Sequence, residues 1–388
     1  MENEIKTREE ILVRVGEIFL KSRPVMERFS LILDTNIRNS LKKEGIEFSI
    51  YKKRFRIFIR AKEIEKAKKI LANVPGLHSF SSCYHLETNG MEEIKKFISE
   101  NYEKWISENE SFAIRAKADH LQKYTSKDVE VEIGSAVKRK VNLGKPDRTI
   151  FIEISGKDSY IFSENEKGIG GLPSGTSGKV MSMLSGGIDS PVSSFLMMKR
   201  GCSVEFMHFH SFPLVSNKSV EKAKELAKVL NKFQMKIKLH LVPFADFQMK
   251  VKAGCPQNLR VLLYRRGMLK IAEKIAEKNK IGCLVTGEAI AQVSSQTLDN
   301  IAITNEAVKM PVLRPLLGFD KEEIIAISKK IGTYGISIQP HEDCCTLFVP
   351  AHSSAKGNLA EINRIEKGLK LNPLINKIIK KEEIVEIK

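Results

Sequence analysis

Cysteine is scarce in this chain of 388 residues, occurring six times at positions 83, 202, 255, 283, 344 and 345 with no CxxC pair. That pattern excludes a disulfide-stapled scaffold and offers no zinc framework, so no metal site is assigned and most of the thiols are expected to be reduced and buried. Long hydrophobic runs are missing as well. No apolar stretch approaches the ~20 residues of a membrane span, and the opening MENEIKTREE is too polar for a signal peptide. A cytoplasmic protein without a membrane partner is therefore expected. Internal repeats and low-complexity tails are absent. So is the lysine-bearing phosphate loop of the usual ATPases: around Gly178–Lys179 a glycine would be needed where Pro173 stands, and no Ser or Thr follows the lysine.

What is present is a soluble, globular composition, 42% hydrophobic and 29% charged, long enough for two or three domains. Lys and Arg exceed Asp and Glu by 17, which favours a polyanionic partner, nucleic acid first. The competing reading is a solvated surface of Lys/Glu-rich helices such as EKAKELAKV. Up to position 177 there are 32 basic and 27 acidic residues, and after it 32 and 20, so charge alone does not choose the RNA-binding half.

Periodicity divides the chain. ILVRVGEIF reads as a strand, MERFSLILDTNIRNSLKK as an amphipathic helix and EFSIYKKRFRIFIRA as a hairpin about Lys52–Arg54. The helix EIEKAKKILANV and the strand LHSFSSCYHL complete a βαββαβ order, a ferredoxin-like unit. A second α+β module follows, with helices over MEEIKKFISENYEKWI and Ser126–Val141 and strands SFAIRAKA, TIFIEIS and DSYIFSE. GIGGLPSGTSG, residues 168–178, has linker composition. Beyond it strands and helices alternate through KVMSMLS, SVEFMHF, KIKLHLVPF and CLVTG, the pattern of a doubly wound parallel sheet. The fold class is thus α/β and α+β multidomain, divided at 1–76, 77–166, a linker at 167–178, and 179–388.

The apolar strand KVMSML runs directly into Ser185-Gly186-Gly187-Ile188-Asp189-Ser190-Pro191, where a helix begins. Two glycines let the backbone approach a phosphate, Ser190 is suited to cap the helix and Pro191 to its first turn. A helix N-terminus in that place attracts an anion, so a phosphate cradle is expected. Arg265 and Arg266 fall in the otherwise apolar LLYRRGML, where an unpaired cation is costly, and Arg265 is taken as functional. His208 and His210 near a strand end suit packing or hydrogen bonding better than metal. For RNA the best basic patches are Lys52, Lys53, Arg54 and Arg56 in KKRFRIFIR, and Lys138, Arg139, Lys140, Lys145 and Arg148 in KRKVNLGKPDR. Strand alternation turns the phenylalanines of the first patch to the core and its arginines to water, giving phosphate contacts and no base stacking.

SGGIDS at a strand-to-helix turn resembles the pyrophosphate loop (PP-loop) of the ATP pyrophosphatases, which cleave ATP between the α- and β-phosphates and adenylate a carbonyl. That resemblance implies that the amides of Gly186 and Gly187 and the hydroxyls of Ser185 and Ser190 hold pyrophosphate, with Asp189 placing Mg2+ or the phosphates. Nearly the whole chain further resembles the tRNA 4-thiouridine synthetase family, through LVRVGEIFLKSR, GGLPSGTSGKV, SGGIDSPV, LLYRRGML, TGEAIAQVSSQTLDN, RPLLGFDKEEI and EDCCTLF. It implies a ferredoxin-like domain, a tRNA-binding THUMP domain whose match begins near residue 60 at the family level, and a PP-loop ATP pyrophosphatase domain. The implied reaction is ATP-dependent sulfur transfer to uridine 8 of tRNA by way of an adenylate.

Carried over by residue, the resemblance places the backbone of Met183–Leu184 and His208–Phe209 beside adenine, with Arg265, Gly287 and Gln296 completing the site. Lys321, equally a helix-start surface charge, takes a catalytic role in neutralising developing phosphate charge. Cys344 matches the catalytic cysteine, loaded as a persulfide by a cysteine desulfurase, and Cys345 either resolves that persulfide or packs. Cys83, Cys202 and Cys283 lie in apolar strands and read as core, while Cys255 is left open. Longer relatives add a rhodanese-like domain with a persulfide cysteine, and the 388 residues contain none, so sulfur comes to Cys344 directly or through a separate protein. The family's second role, sulfur supply to the thiamine thiazole through a sulfur-carrier protein, and a homodimer are implied by resemblance alone. The alternatives are an amide-forming or lysine-adding PP-loop enzyme and a non-enzymatic RNA-binding assembly factor.

Overall fold

The computed structural model describes residues 6–53, 56–340 and 354–387. Its internal contacts divide the chain into two compact units, Met1–Met26 with Ile37–Gly171 and Glu27–Asn36 with Leu172–Lys388. No helix among the described residues is long and apolar enough to cross a membrane.

The N-terminal order is β1 (Thr7–Val15), α1 (Arg23–Lys43), β2 (Phe48–Lys53), β3 (Arg56–Ala61), α2 (Ile64–Leu71) and β4 (Leu77–Leu86), which is the expected βαββαβ succession. It continues through α3 (Met91–Asn101), β5 (Ser111–Ala118), α4 (Ser126–Gly134), β6 (Lys140–Val141), β7 (Arg148–Ser155), β8 (Asp158–Phe162) and β9 (Glu166–Lys167). These strands form one sheet in the order β2-β3-β1-β4-β8-β7-β5-β6, with β9 on β4. β4 joins the two modules, since it runs antiparallel to β1 over Leu77–Leu86 and to β8 over Tyr84–Leu86. The core of the second module, including Ile94, Phe112, Val129, Ile150 and Ile161, closes between its helices and this sheet.

Two local expectations change. The helix foreseen over 126–141 opens with a capping box, Thr125 with Asp128, but stops at Gly134. Asn142 then donates its N–H to the Phe112 carbonyl and β6 pairs parallel with β5, so sheet pairing overrides the helical period. In β3 the period of two puts Phe58 on the same face as Arg56 and Arg60, with Ile57 and Ile59 opposite. Phe58 is buried there in a stack with Tyr51 and Tyr160, while Arg56 pairs with Glu153 at 3.3 Å and Arg60 with Glu10 at 2.7 Å. The aromatic ring and the arginines therefore share a face, where strand alternation was expected to part them.

The second unit follows with β10 (Lys179–Met183), α5 (Asp189–Lys199), β11 (Ser203–His210), α6 (Lys218–Leu230), β12 (Ile237–Pro243), α7 (Ala245–Gly254), α8 (Arg260–Lys278) and β13 (Cys283–Val285). It ends with α9 (Leu298–Asn305), β14 (Val312–Leu313), α10 (Lys321–Ile331), α11 (Tyr334–Ser337), α12 (Leu359–Leu369), α13 (Leu371–Ile379) and β15 (Glu383–Ile387). The strand order is β14-β13-β10-β11-β12-β15, parallel except for β15, which adds antiparallel to β12 at the edge. The central strands are buried on both faces, as Met181, Val204, Phe206 and Met207 show, which explains their continuous apolar runs. Chain order leaves β10 in one direction for β11 and β12 and returns on its other side as β13 and β14. The switch point lies between β10 and β13, where a doubly wound sheet opens a crevice at the carboxyl ends of its strands.

Residues 172–178 lie along the turn between α5 and β11. Leu172 donates its N–H to the Lys199 carbonyl, and Gly175 and Ser177 both donate to Gly201. Gly201 adopts φ of 85° here, and a Cβ on it would meet Thr176 Oγ1 at 2.3 Å. The close packing is thus required of Gly201, whereas Gly175 and Gly178 within the stretch take φ of 95° and 86° with nothing within 4 Å of where a Cβ would stand, so there glycine serves left-handed backbone.

Candidate active site

The SGGIDS loop sits at the carboxyl end of β10, on the switch point. Leu184 is tied to the neighbouring strand by its N–H to the Met207 carbonyl at 2.8 Å. Ser190 does not cap α5, which begins at Asp189 with Ile188 as N-cap and no side-chain cap bond. Its hydroxyl oxygen instead accepts the Ser185 N–H at 2.9 Å and lies 3.0 Å from Ser185 Oγ, which accepts the Gly187 N–H at 3.3 Å. The two serines close the loop on itself, so the cap is replaced by a brace inside the cradle. Pro191 keeps its place in the first turn, where its missing N–H costs no helical bond.

Gly287 shows why the site is tight. A Cβ on it would stand 2.7 Å from the Ser190 nitrogen and 2.9 Å from its Cα, and both are backbone atoms. The strand end after β13 therefore touches the start of α5 only because residue 287 has no side chain. Beside it, Glu288 is buried and accepts from Arg265 Nη1 and Arg314 Nε, each at 2.7 Å, and from Thr286 Oγ1 at 2.8 Å. Thus Arg265 is held at the crevice by a carboxylate, and Arg314 is a second cation there.

Asp189, the first residue of α5, meets two distant groups. Lys321 donates from Nζ to its Oδ1 at 2.7 Å, and Gln292 from Nε2 to its Oδ2 at 3.0 Å. Lys321 opens α10, whose start is set by a capping box: Asp320 accepts the Glu323 N–H at 2.8 Å and Glu323 accepts the Asp320 N–H at 3.0 Å. With α10 packed against α5, a lysine 132 positions away is delivered to the phosphate loop. Gln296 is buried, and its side-chain oxygen has no hydrogen-bond partner among the described residues, as expected of a group that awaits a ligand.

His208 and Phe209 end β11 next to β10, both buried, with His208 Nδ1 donating to the Leu184 carbonyl at 2.9 Å. His208 thereby orients the backbone pair Met183–Leu184. Burial, and to a lesser degree the His208 imidazole, pulls His210 down to about 4. The unfolded chain takes up a proton at this position near the ordinary value of about 6.5, so stability is unaffected above that pH and falls as pH drops from about 6.5 toward about 4. His210→Gln is therefore expected to lose less stability on acidification than the unmodified protein. Urea midpoints at about pH 7 and about pH 5 measure this, and an identical loss in both proteins would refute it.

Arg266 points the other way along α8. Almost fully buried, it donates to Glu306 at 2.8 Å, Glu366 at 2.9 Å, Asn363 at 2.8 Å and the Ile303 carbonyl at 2.5 Å, holding α8, α9 and α12 together. Of the two adjacent arginines one faces the crevice and the other is structural. Cys83 and Cys202 are buried with thiols pushed up by burial, and Cys255 is pushed up to about 11 by the same cause, so these three are poor nucleophiles at neutral pH. Cys202 precedes β11 rather than lying in it, and Cys283, which opens β13, is half-buried. Cys344 and Cys345 lie outside the described residues.

The basic patches of the first unit are in part paired. Lys53 bonds to Asp158, Arg139 to Glu103 at 3.3 Å and Arg148 to Glu110 at 2.9 Å. Lys52, Lys138, Lys140 and Lys145 are exposed, and Arg54 lies outside the described residues. Among site residues the sequence reading missed Glu288, Arg314, Thr286 and Gln292. Two of these carried a signal: Glu288 directly follows Gly287 at a strand end and Arg314 directly follows the apolar MPVL, where a charge needs a partner.

Comparison with known proteins gives the same arrangement. Residues 175–371 match the model of the ThiI thiamine biosynthesis protein, 10–81 the ThiI ferredoxin-like domain and 89–164 the THUMP domain. A probable tRNA sulfurtransferase of Halothermothrix orenii is 39% identical, covering 97% of this chain and 98% of its own. One from Acetivibrio thermocellus is 37% identical over 97% and 98%. A crystal structure of a 4-thiouridine synthetase–RNA complex with bound ATP superposes with a TM-score of 0.87 at 31% identity, covering 98% of this chain and 100% of that one. With the SGGIDS cradle, its lysine and its buried arginine–glutamate pairs in place, and with all three family models matched in order, the chain belongs to the ThiI family of tRNA sulfurtransferases.

Proposed function

We propose that the chain converts uridine 8 of tRNA to 4-thiouridine in the cytoplasm. O4 of the uracil attacks the α-phosphate of ATP and pyrophosphate leaves; the terminal sulfur of a persulfide on Cys344 then forms a bond to C4 as the C4–O bond to AMP breaks, and a second thiol, Cys345 or an added thiol reductant, attacks Cys344 Sγ, forming a disulfide and releasing 4-thiouridine, after which the thiol reductant restores the cysteine. The observation that most supports this is the meeting of Lys321 with Asp189 at the first turn after the SGGIDS loop. An ammonium held there is placed for the negative charge that develops on the departing pyrophosphate. Loop amides and the Ser185 and Ser190 hydroxyls take the β- and γ-phosphates, Gly287 admits them, and Arg265 adds charge from the buried glutamate. The backbone at Met183–Leu184 and His208–Phe209, with the Gln296 side-chain oxygen, borders the adenine.

An ionised carboxylate offers about four acceptor positions, so the bonds from Lys321 and Gln292 leave Asp189 able to ligate Mg2+ together with phosphate oxygens. When bound, the cation neutralises the phosphates. The exposed lysines at 52, 138, 140 and 145, with Lys53, Arg54, Arg56, Arg139 and Arg148, are assigned to the tRNA backbone. We divide the chain at 1–76, 77–166 and 179–388, counting β4 with the module it joins through β8. A cysteine desulfurase supplies the persulfide, a homodimer is the working state, and sulfur supply to a thiamine sulfur-carrier protein is a second role.

Cys344→Ala is expected to lower 4-thiouridine yield by at least about 10²-fold, with cysteine, cysteine desulfurase, ATP, Mg2+ and tRNA supplied. Exchange of labelled pyrophosphate into ATP, dependent on tRNA, should persist, because adenylation needs no thiol. Unchanged thiolation would refute the role of Cys344.

A further inference from the structure

Two arginines share one buried carboxylate at the crevice. Glu288 lies just past the end of β13 and Arg314 directly follows β14, so the pairing of these strands brings the two side chains together. Arg314 donates from Nε to Glu288 Oε2 at 2.7 Å, and Thr286 Oγ1 donates to the same oxygen at 2.8 Å. Arg265 of α8 donates from Nη1 to the other oxygen, Oε1, at 2.7 Å. Arg314 Nη1 also donates to Asn305 Oδ1 and to the Val312 carbonyl, each at 3.2 Å, which anchors its guanidinium to α9 and β14.

A guanidinium left alone with a carboxylate tends to take both oxygens in a fork, which cancels its charge. Here Oε2 is already occupied, so Arg265 makes a single bond, its only one among the described residues, and keeps the rest of its five N–H donors. Its side chain is 23% exposed at the crevice, whereas that of Arg314 is only 7% exposed. The more buried guanidinium thus offsets the glutamate, and the more open one is presented to the crevice. Two positive groups and one negative group leave the trio at +1 when all are ionised, and without Arg314 they would sum to zero.

We propose that Arg314 is a positioning residue for nucleotide binding: by occupying Glu288 it leaves Arg265 charged, singly tethered and available to the phosphates of ATP. This rests on the reading of Arg265 as a phosphate contact. At roughly 10 Å and an effective dielectric of about 20, one unit charge alters the binding of an anion by on the order of tenfold. Removing Arg314 should therefore weaken ATP binding, and removing the charge of Glu288 as well should restore it. A role in packing alone predicts the opposite order, because the second substitution then deletes further bonds.

The test measures the Kd for ATP with Mg2+ by isothermal titration calorimetry, and folding by the thermal midpoint, on the full-length protein. The variants are Arg314→Met, the double variant Arg314→Met with Glu288→Gln, and Arg265→Met. The Kd is expected to rise roughly tenfold in Arg314→Met and to return to within about threefold of the unmodified value in the double variant, whose three positions again sum to +1. An unchanged Kd in Arg314→Met, or a double variant that binds ATP no better than Arg314→Met, overturns the inference. Should Arg314→Met fail to fold, Arg314→Gln against Arg314→Lys decides. Both replacements can donate to Glu288 and only the lysine carries charge, so ATP must bind roughly tenfold more weakly to the glutamine variant, and equal binding overturns the inference. An unchanged Kd in Arg265→Met sinks the underlying reading instead, and the inference with it.

Discussion

Gly287→Ala is expected to lose tRNA-dependent pyrophosphate exchange by on the order of 10²-fold, with the protein still folded. The added Cβ would stand 2.7 Å from the Ser190 nitrogen, 2.9 Å from its Cα and 3.0 Å from the Asp189 carbonyl carbon. These are backbone atoms in the first turn of α5, so nothing can rotate away, and relief requires shifting the helix start or the strand end by a sizeable fraction of an ångström. A shift of the helix start moves Asp189 and the loop amides, and a shift of the strand end moves Glu288 with the arginines it holds. Because the strain is local to the crevice, the thermal midpoint should fall by only a few degrees while ATP use collapses. Exchange within about twofold of the unmodified protein would show that the approach of 287 to 190 does not shape the cradle.

Lys321→Met should leave ATP binding largely intact and lower the turnover number by roughly 10²- to 10³-fold, the usual effect of removing one preorganised charge from a developing anion. Its side chain is 44% exposed and the pair with Asp189 is partly solvated, so its worth to stability is small and the variant should fold normally. A steady-state split decides the matter: a lower kcat with KM for ATP changed by less than about threefold fits the assignment. A rise in KM with unchanged kcat would instead make Lys321 a binding group, equally favourable to ground state and transition state. Lys321→Arg need not restore the rate, since a planar fork cannot reproduce a compact point charge.

Much of this site is legible in the amino-acid sequence, and for identifiable reasons. SGGIDS at the end of an apolar strand announces a phosphate cradle because glycines, a helix start and its free amides must coincide there. The brace between Ser185 and Ser190 is not legible: a serine at the head of a helix is ordinarily its cap, and only the path of the loop shows its oxygen turned back to the Ser185 N–H. The same holds for Arg265 and Arg266. Both are cations in an apolar helix, but which one faces Glu288 and which one Glu306 and Glu366 depends on the rotation of α8 against its neighbours. In β3 the parity of Phe58 and Arg56 can be counted along the strand, whereas the burial of that face depends on Glu153 and Glu10 arriving from other strands.

By itself the sequence determined most of the succession of elements, though not the strand that replaces the end of the helix foreseen over 126–141, together with the place of the phosphate loop and the residue types that chemistry at a phosphate requires. These are local matters, governed by side-chain period, by glycine and proline, and by caps within a few residues. Only the tertiary structure decided which distant groups meet. Asp189 with Lys321, Gly287 with Ser190, and Arg265 and Arg314 on one glutamate are pairings across 23 to 132 positions. Their physical basis is the doubly wound sheet, which brings the carboxyl ends of separate strands to one crevice and leaves sequence distance without effect on spatial distance.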